Sequence, residues 1–566
     1  MKTSPHLPGI LQSESALRAV QLGVAAIAIG WIFWQLQFST SAICCGDFDG
    51  YYHIKWSRML WESLRNHTFP PSFTWLPFTT LDSKHYVDHH LLFHFFQMPF
   101  TWFGDLRLGA KISATVFASL AVFSCYWLLV RYRIRYSLLW LLALLACSAP
   151  FLYRLNMAKA PPFAIIYLVI GIHLLFKQKY WPLLPLSFVF AETYDMFVLL
   201  ILAAFIWTAV IGWTERRFEW RPLAWVLFGT AAGLVINPYF PTNLRLFYEH
   251  LKIKLTPSNF STKVGQEWYP YDSWEFFGNS VVACAAMVVG YLAFDPSDRK
   301  RAHHSLFLLV FATALMIMTA RWRRIAEYWP PFAVIFSAFA LHPWLEGTRS
   351  TLTKLPTDIL DELQPFLDRP QTATRETEEL QELWRTIAIS VVAICLGLAL
   401  FLNLRATIRD IRGSDPHDYY RAGSEWMRAN VAPQQMIFNT DWDDFPRLFY
   451  YDPSHVYVSG LDPTYLYDKD PALSQLYERI TLGKEEDPGP LIRDRFGARY
   501  VFTDNSHEDF SDNAKTSGWF EIVYEDTECT ILHIRDQKVE PEADDTETDN
   551  TDNGEPQPDN QPDNQP

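Results

Sequence analysis

Apolar residues run in long blocks through the first 403 positions of this chain. Beyond about residue 404 the pattern changes to short alternating segments. A helix that crosses a bilayer needs about 17–25 predominantly apolar residues. Eleven stretches come near that length: 17–37, 108–129, 137–152, 161–176, 181–192, 194–213, 223–237, 278–294, 303–320, 325–342 and 385–403. Several are short, and the expected number of transmembrane helices is about eleven and at most thirteen. The first does not read as a removed signal peptide, because its apolar run is too long and no small-residue cleavage site follows it.

Basic residues test this count. With the N-terminus in the cytoplasm, the even-numbered connections face the same compartment. They carry Arg131, Arg133 and Arg135; Lys177 and Lys179; Arg216, Arg217 and Arg221; and Arg299, Lys300 and Arg301. This is the positive-inside pattern, and it places 38–107, 238–277 and everything after 404 outside. The expected organisation is a transmembrane domain over 1–403 with outer loops 38–107 and 238–277. An extracytoplasmic α/β domain follows over 404–538, and a disordered acidic tail over 539–566. The connection 343–384 is cytoplasmic, with an amphipathic stretch from Leu355 to Leu367 suited to a membrane surface. In the soluble part, helical patterns at 416–430, 470–481 and 488–496 alternate with strands at Met436–Phe438, Val456–Val458 and Tyr500–Thr503. A hairpin of Phe520–Tyr524 and Cys529–Ile534 turns at Glu525-Asp526. The fold class expected is a polytopic α-helical membrane protein with a C-terminal α/β domain. It sits as a multi-pass protein in the plasma (inner) membrane.

Composition sharpens this picture. Of the 566 residues, 49% are hydrophobic and 16% aromatic. The net charge is −14, but ten of the acids lie in Val539–Pro566, which has no Lys or Arg. The folded part is therefore near neutral, and a basic nucleic-acid-binding face is not expected. Cys125, Cys147, Cys284 and Cys395 lie in apolar runs and read as small core residues. Cys44 and Cys45 are adjacent and poorly placed to pair with each other.

Candidate chemistry collects in the outer loops. The segment Cys45-Gly46-Asp47-Phe48-Asp49-Gly50-Tyr51-Tyr52-His53 follows the first apolar stretch. A helix starting at Gly50 would make Asp49 its N-cap; alternatively, two carboxylates beside a membrane surface could hold a divalent cation and a phosphate-bearing lipid. In His85-Tyr86-Val87-Asp88-His89-His90-Leu91-Leu92-Phe93-His94, Asp88 and His89 are candidate metal ligands. His90 and His94 share a face if the segment is helical; packing is the alternative role for these rings. Glu267 sits in a Gly- and Pro-punctuated loop suited to closing over a substrate, or to plain solvation. Arg321, Arg323 and Arg324 lie on the outer side against the charge trend. They suit a lipid phosphate or snorkelling to headgroups. Glu192 and Asp195 fall in a tight turn between apolar segments, where ionisable groups are functional candidates, and Arg154 and Lys159 could pair with them. Trp442, Asp443 and Asp444 follow a strand of the soluble domain, as a binding loop or as a helix cap with an acidic first turn.

These segments together resemble the GT-C superfamily of membrane glycosyltransferases. They look like oligosaccharyltransferase catalytic subunits of the archaeal and bacterial single-subunit type. Asp49-Gly50-Tyr51-Tyr52-His53 is similar to the family's Asp-Pro-Trp/Tyr-Tyr-His pattern, and Val264-Gly265-Gln266-Glu267 to its outer-loop motif ending in Glu. Arg323 or Arg324 stands near the place of its donor-phosphate Arg. Asp441-Trp442-Asp443-Asp444-Phe445 stands where it has Trp-Trp-Asp-Tyr-Gly. The resemblance implies catalytic roles for Asp49 and Glu267, donor-phosphate binding by Arg321, Arg323 and Arg324, and acceptor binding by Trp442, Asp443 and Asp444. It implies a divalent cation, Mg or Mn, held by Asp49, Asp47, Asp88 and His89. Glu192, Asp195, His53 and Arg154 are further candidates.

The implied reaction is one inverting displacement, moving a sugar or glycan from a polyprenyl-phosphate or -pyrophosphate donor to a protein, lipid or glycan acceptor. The chain departs from the family eight residues after Arg154. There Ala160-Pro161-Pro162-Phe163 replaces the second acidic motif. Glu192 or Asp195 substitutes, or the metal site differs, or there is no metal. The degenerate acceptor motif points away from an Asn-X-Ser/Thr peptide. A transporter or flippase for a lipid-linked or anionic solute, or a membrane scaffold, is the competing class. A transporter would gather its polar residues near the midplane, whereas here they gather at loops.

Overall fold

A computed structural model of the chain describes residues 14–45, 48–255, 268–297, 299–345 and 375–539. Helix dominates, and every one of the eleven apolar stretches lies on a helix or a bent helix pair. Among the described residues, five helices are long and apolar enough to cross a membrane: Ser15–Gln37, Leu106–Arg131, Asp195–Glu215, Ala302–Arg321 and Leu383–Arg412. Two further stretches are bent pairs, Ser137–Ala146 with Ala149–Leu155 at 81° and Ser273–Asn279 with Val281–Ala293 at 84°. The remaining apolar stretches form the helices Pro161–Phe176, Leu183–Thr193, Arg221–Val235 and Trp329–Leu345.

The two bends explain each other. Breaking a helix in apolar surroundings exposes backbone groups that must find partners within the protein. Ser148 caps the second half of its pair by accepting from Phe151 N. Ser280 Oγ, at the break of the other pair, lies 3.1 Å from Ser148 Oγ, and Ala283 N donates to Cys147 O at 3.2 Å. Each break supplies hydrogen-bond partners to the other.

The C-terminal region folds as the alternation predicts. Strands β1 (Met436–Asn439), β2 (Val456–Tyr457), β3 (Tyr500–Asp504), β4 (Phe520–Glu525) and β5 (Cys529–Ile534) form one sheet in the order β2-β1-β3-β5-β4. β1 runs parallel to β2 and β3, and β5 runs antiparallel to β3 and β4. The turn between β4 and β5 is held by Asp526 Oδ1, which accepts from Glu528 N and Cys529 N. Expected helices appear as Arg421–Asn430 and Pro471–Thr481, while the third is a short helix Pro488–Leu491 continued by a wider turn to Phe496.

This sheet domain shares a core with the loop 38–107. The loop's helix Asp49–Arg65 contributes Tyr52, Trp56 and Leu60, and the following segment adds Phe73, Leu76 and Tyr86. They pack with Phe445, Leu448, Phe449, Tyr457 and Phe502 of the sheet domain. Phe73 and Tyr86 stack at 4.4 Å, and Trp75 meets Phe449 edge-on at 4.9 Å. Trp75 Nε1 also donates to Pro453 O at 2.8 Å, so its polar edge is satisfied within the same contact.

Local differences from expectation have simple causes. The helix after the first apolar stretch starts at Asp49, not Gly50. Phe48 holds the capping position, and no side chain caps the helix. Helix Leu91–Gln97 begins after His90, so His90 is its cap residue and not a face partner of His94. The sulfurs of Cys44 and Cys45, expected to stay apart, are bonded to each other. The stretch expected at 325–342 enters its helix only at Trp329, after a tight turn over Arg323–Glu327. The amphipathic stretch Leu355–Leu367 and the acidic tail from 540 onward lie outside the described residues.

The sidedness read from the basic loops is open to a direct test. Lys515, in the sheet domain, is exposed and suits a reporter. In intact cells an impermeant thiol reagent is expected to label Lys515→Cys and to spare Ser350→Cys until the membrane is opened. Equal labelling of both positions would overturn the assignment of 404–538 to the outside.

Candidate active site

Asp49 opens its helix where the first apolar helix hands over to the loop. Its carboxylate lies 2.7 Å from Lys159 Nζ, and both side chains are largely but not fully covered. Lys159 stands just ahead of Ala160-Pro161-Pro162, at the entry to helix Pro161–Phe176. The ammonium therefore occupies the neighbourhood where the family pattern would bring a second acid. The turn suggested Glu192 or Asp195 as partners for Lys159 and Arg154; Lys159 meets Asp49. Arg154 instead grips Glu327, with Nη2 at 2.5 Å and Nε at 2.7 Å from Oε1.

One turn beyond Asp49 on the same helix, His53 ends a buried chain of hydrogen bonds. His53 Nδ1 lies 2.8 Å from His94 Nε2, and His94 Nδ1 lies 2.8 Å from Asp88 Oδ2. Asp88 also accepts from Trp56 Nε1 at 3.0 Å and from His90 N at 3.1 Å. Burial works against the Asp88 charge, but His94 and the Trp56 indole hold its carboxyl below the usual carboxylate range. A carboxylate can only accept, so His94 donates from Nδ1. His53 Nδ1 and His94 Nε2 share one proton across their contact, so one of these nitrogens donates and the other accepts. Burial, followed by His94 and Lys159, pushes His53 well below the usual imidazole range, so it is uncharged at neutral pH.

The arginine cluster reaches this place through aromatic rings. His90 packs edge-on to His53 at 5.4 Å and stacks on Tyr194 at 5.4 Å. Arg324 Nη2 donates to Tyr194 Oη at 2.6 Å, and its guanidinium lies 5.2 Å from the Trp268 ring. Arg323 turns away, donating to Pro270 O at 3.2 Å and lying 3.7 Å from Glu275. Arg321 is the exposed last residue of its helix. The structure thus brings Asp49, His53, Lys159 and Arg324 into one connected assembly and leaves Arg321 and Arg323 at its edge.

Other candidates take quieter positions. Glu192 is buried and accepts from Asn237 Nδ2 at 2.9 Å. Asp195 begins a short turn and, with His89, Asn237 and Asn243, lines a cavity of about 30 Å³. His89 is half-buried and lies tilted against His90, with ring centroids 4.0 Å apart. Glu267 and Asp47 lie outside the described residues.

Among the described residues, the donor set around Asp49 does not fit a divalent cation. Lys159 neutralises the carboxylate, and both Asp88 oxygens are already engaged by His94. Among the described residues, Asp49, Asp88 and His89 do not form a group of three ligand atoms close enough to share an ion. The only such group there is Asp441, Asp504 and His507, whose ligand atoms lie within 4.8 Å of one another. It sits in the sheet domain, and the sequence reading did not anticipate it.

The loop Asp441–Asp444 follows β1. Trp442 and Asp443 are half-buried, while Asp444 is only 3% exposed and so cannot meet an acceptor in solvent. Burial, and then the charges of Asp441 and Asp504, push the Asp444 carboxyl well above the usual range. Asp504 is opposed by burial but held low by the paired His507, whose own pKa Asp504 raises despite burial.

No protein-family model and no curated protein matches the sequence. Solved structures do match the fold. The chain superposes on the oligosaccharyltransferase of Archaeoglobus fulgidus with a TM-score of 0.58 at 12% identity, over 93% of this chain and 76% of that one. It superposes on ArnT from Cupriavidus metallidurans with a TM-score of 0.54 at 13% identity, over 91% and 98%. That ArnT has also been solved bound to undecaprenyl phosphate, with a TM-score of 0.53 at 12% identity over 92% and 100%. The Archaeoglobus enzyme has been solved with an acceptor peptide containing the NVT sequon and, separately, with Zn and sulfate. The chain shares the fold of these two proteins.

The Arg154–Glu327 pair yields a stability test. Glu327 has a side chain only 1% exposed, and removing one member of a buried pair costs about 3–5 kcal/mol. Arg154→Ala is expected to lower the unfolding temperature of detergent-purified protein, followed as loss of the monodisperse peak on heating. Adding Glu327→Leu should recover most of the loss. A single variant as stable as the parent would leave the pair without a structural role.

Proposed function

We propose that the protein is a membrane glycosyltransferase. It moves a sugar or glycan from a polyprenyl-phosphate or polyprenyl-pyrophosphate donor to an acceptor on the outer face of the membrane. The observation that carries this reading is the Asp49–Lys159 pair, with a neutral His53 one helical turn away and Arg324 reached through His90 and Tyr194. A base and a cation lie side by side, a neutral imidazole stands one turn away, and a second cation is linked to that imidazole through two rings. This is the equipment that displacement at a sugar phosphate requires. The shared fold supports the same class, and the undecaprenyl phosphate held by the Cupriavidus ArnT supports a lipid-linked donor.

The reaction is written as a single inverting displacement. The donor phosphate competes with Asp49 for Lys159, and its arrival frees the carboxylate. Asp49 then takes the proton from the acceptor hydroxyl or amine, whose heavy atom attacks the anomeric carbon. The bond from that carbon to the phosphate oxygen breaks, and its electron pair stays on the phosphate. Lys159 and Arg324 stabilise the charge that develops there. No step passes through a divalent cation, because Lys159 supplies positive charge where Mg or Mn would have to bind. Glu267 and the half-buried Trp442 and Asp443 are proposed as the closing and acceptor-facing groups. The fold also occurs in a peptide-modifying enzyme, but the degenerate loop at 441–445 favours a lipid or glycan acceptor.

Two substitutions test the site. Asn caps helices about as well as Asp, and Asp49 is not the cap here, so Asp49→Asn is expected to fold normally and to abolish transfer. Undiminished glycoconjugate in cells carrying the variant would remove Asp49 from the chemistry. For the donor, purified protein is titrated with undecaprenyl phosphate. Arg324→Ala should weaken binding roughly ten- to more than a hundredfold, the worth of a hydrogen bond to a charged group. Arg321→Ala should change it little. Equal affinity for Arg324→Ala and the parent would make the cluster a headgroup anchor.

A further inference from the structure

We propose that the buried Asp452–His455 pair is a pH-sensitive latch, which fastens the sheet domain to the loop carrying Asp49 while the imidazole holds both of its protons. The pair closes the turn between helix Phe445–Tyr451 and β2, and both residues are fully buried. His455 Nδ1 lies 2.6 Å from Asp452 Oδ2, and His455 Nε2 lies 3.2 Å from Val431 O. A carboxylate and a backbone carbonyl can only accept, so each ring nitrogen faces an acceptor. A neutral imidazole has one N–H to offer, and an imidazolium has two. Ser454 Oγ stands 3.3 Å from Nδ1, but its one hydrogen goes to Asp452 Oδ1. Oδ1 also accepts from Ser454 N at 3.2 Å, so the carboxylate is satisfied without a proton of its own.

The charges around the pair agree with this geometry. Burial opposes a charge on His455, but the Asp452 carboxylate and then the Val431 carbonyl hold its pKa above the ordinary imidazole range. Burial likewise opposes the Asp452 charge, and His455 and Ser454 hold that carboxyl below the usual carboxylate range. Two cations approach from other elements, Lys55 of helix Asp49–Arg65 and Arg428 of helix Arg421–Asn430. Lys55 feels both Arg428 and Asp452, and the Tyr457 hydroxyl feels Asp452 and Arg428. Both cations favour the ionised form of Asp452. A group whose pKa is raised by folding adds its full stability below its ordinary value, about 6.5 for imidazole, and loses it as pH rises through the folded value. The latch is therefore closed in acid and loosens as pH climbs past about 6.5.

The turn held by the pair is a junction. Pro453 O, inside it, accepts from Trp75 Nε1 at 2.8 Å, and Tyr457 N just beyond it donates to Trp75 O at 2.8 Å. Tyr457 Oη donates back to Asp452 O at 3.0 Å. Trp75 belongs to the loop 38–107, so both of its backbone and indole bonds to the sheet domain end on this turn. On the other side, Asp452 N donates to Leu448 O at 2.7 Å and closes helix Phe445–Tyr451. That helix sets Phe449 5.7 Å from the Tyr52 ring and Tyr450 edge-on to Tyr51 at 5.2 Å, on the helix that begins with Asp49. When His455 loses a proton, one of its two buried acceptors is left without a donor, which is costly in a covered site. The turn, Trp75 and the helix ending at Tyr451 then share the loss. This junction exists whatever reaction the protein carries out.

The test is amide hydrogen exchange on the full chain, purified in detergent, with each rate corrected for the chemical exchange rate at its pH. Protection of the backbone at 452–457 is expected to be flat below about pH 6.5. Above that it should fall by up to about tenfold per pH unit, the slope of one proton, until pH passes the folded value. The β4–β5 hairpin, at the opposite edge of the sheet, should lack this slope. His455→Gln, which cannot take up a proton, should be less protected in acid and show no slope at 452–457. The parent alone decides the outcome if that variant does not fold. Protection at 452–457 that stays flat with pH in the parent, an equally steep slope in the hairpin, or an unchanged slope in His455→Gln would overturn the proposal.

Discussion

The helix Asp49–Arg65 is held on two sides at once, and the candidate site depends on that constraint. One side meets the helix bundle, where Ile43, Tyr51, Ile54, Ala110 and Ala158 form a small core of their own. The other side carries Tyr52, Trp56 and Leu60 into the aromatic core shared with the sheet domain. Gly50 has no room for a side chain, because an added Cβ would lie 2.7 Å from the Ile43 side chain. A helix anchored this way cannot rotate without emptying one of its two cores. Asp49 and His53, four residues apart on it, keep a fixed relation to each other and to Lys159.

Charge is distributed around this helix in two ways with different consequences. The Asp88–His94–His53 chain is enclosed, with His94 and Asp88 side chains 1% and 2% exposed. It spends the Asp88 charge on orienting two rings, so it acts on whatever meets His53 without itself being reachable. The Asp49–Lys159 pair is more open, with 27% and 17% of the side chains exposed. Both members can exchange their partner for a ligand at modest cost, because water and neighbouring dipoles screen the separated charges. The enclosed chain suits positioning and the open pair suits chemistry, and the two lie one helical turn apart.

Local pattern carried most of the fold. All five strands, the β4–β5 hairpin and a helix for each of the eleven apolar stretches were legible, because periodicity and apolar length are properties of neighbours in sequence. The bends were not legible, since the break at Ser148 is satisfied by Ser280 from 132 positions away. At the site, Asp49, His53 and Arg324 stood out as polar residues in the wrong compartment or beside a membrane. Lys159 was seen only as a possible partner for Glu192 or Asp195. Arg154 meets Glu327 across 173 positions, a pairing that no spacing rule contains. His94 was read as one face of a helix with His90; six residues separate it from the Asp88 that orients it, a distance set by the turn before helix Leu91–Gln97. The acids at 441–444 read as a binding loop or as a helix cap with an acidic first turn. Asp504 and His507, about sixty residues further on, join Asp441 only because β1 and β3 lie side by side.

That last case marks where a motif stops being informative. Asp441-Trp442-Asp443-Asp444 lies where the family pattern has an acceptor motif, and as a string its acids are interchangeable. In three dimensions they diverge. Asp443 N donates to Asp441 Oδ1 at 2.9 Å and closes a tight turn. The turn sends Asp444 inward and leaves Asp443 and the Trp442 indole half-covered. The inward acid and the turn acid face β3, whereas Trp442 and Asp443 stay toward the surface. One four-residue loop thus divides between holding the sheet edge together and presenting a surface. The division follows from backbone geometry, because a residue that closes a turn at the end of a buried strand must direct its neighbours to opposite sides of the sheet edge.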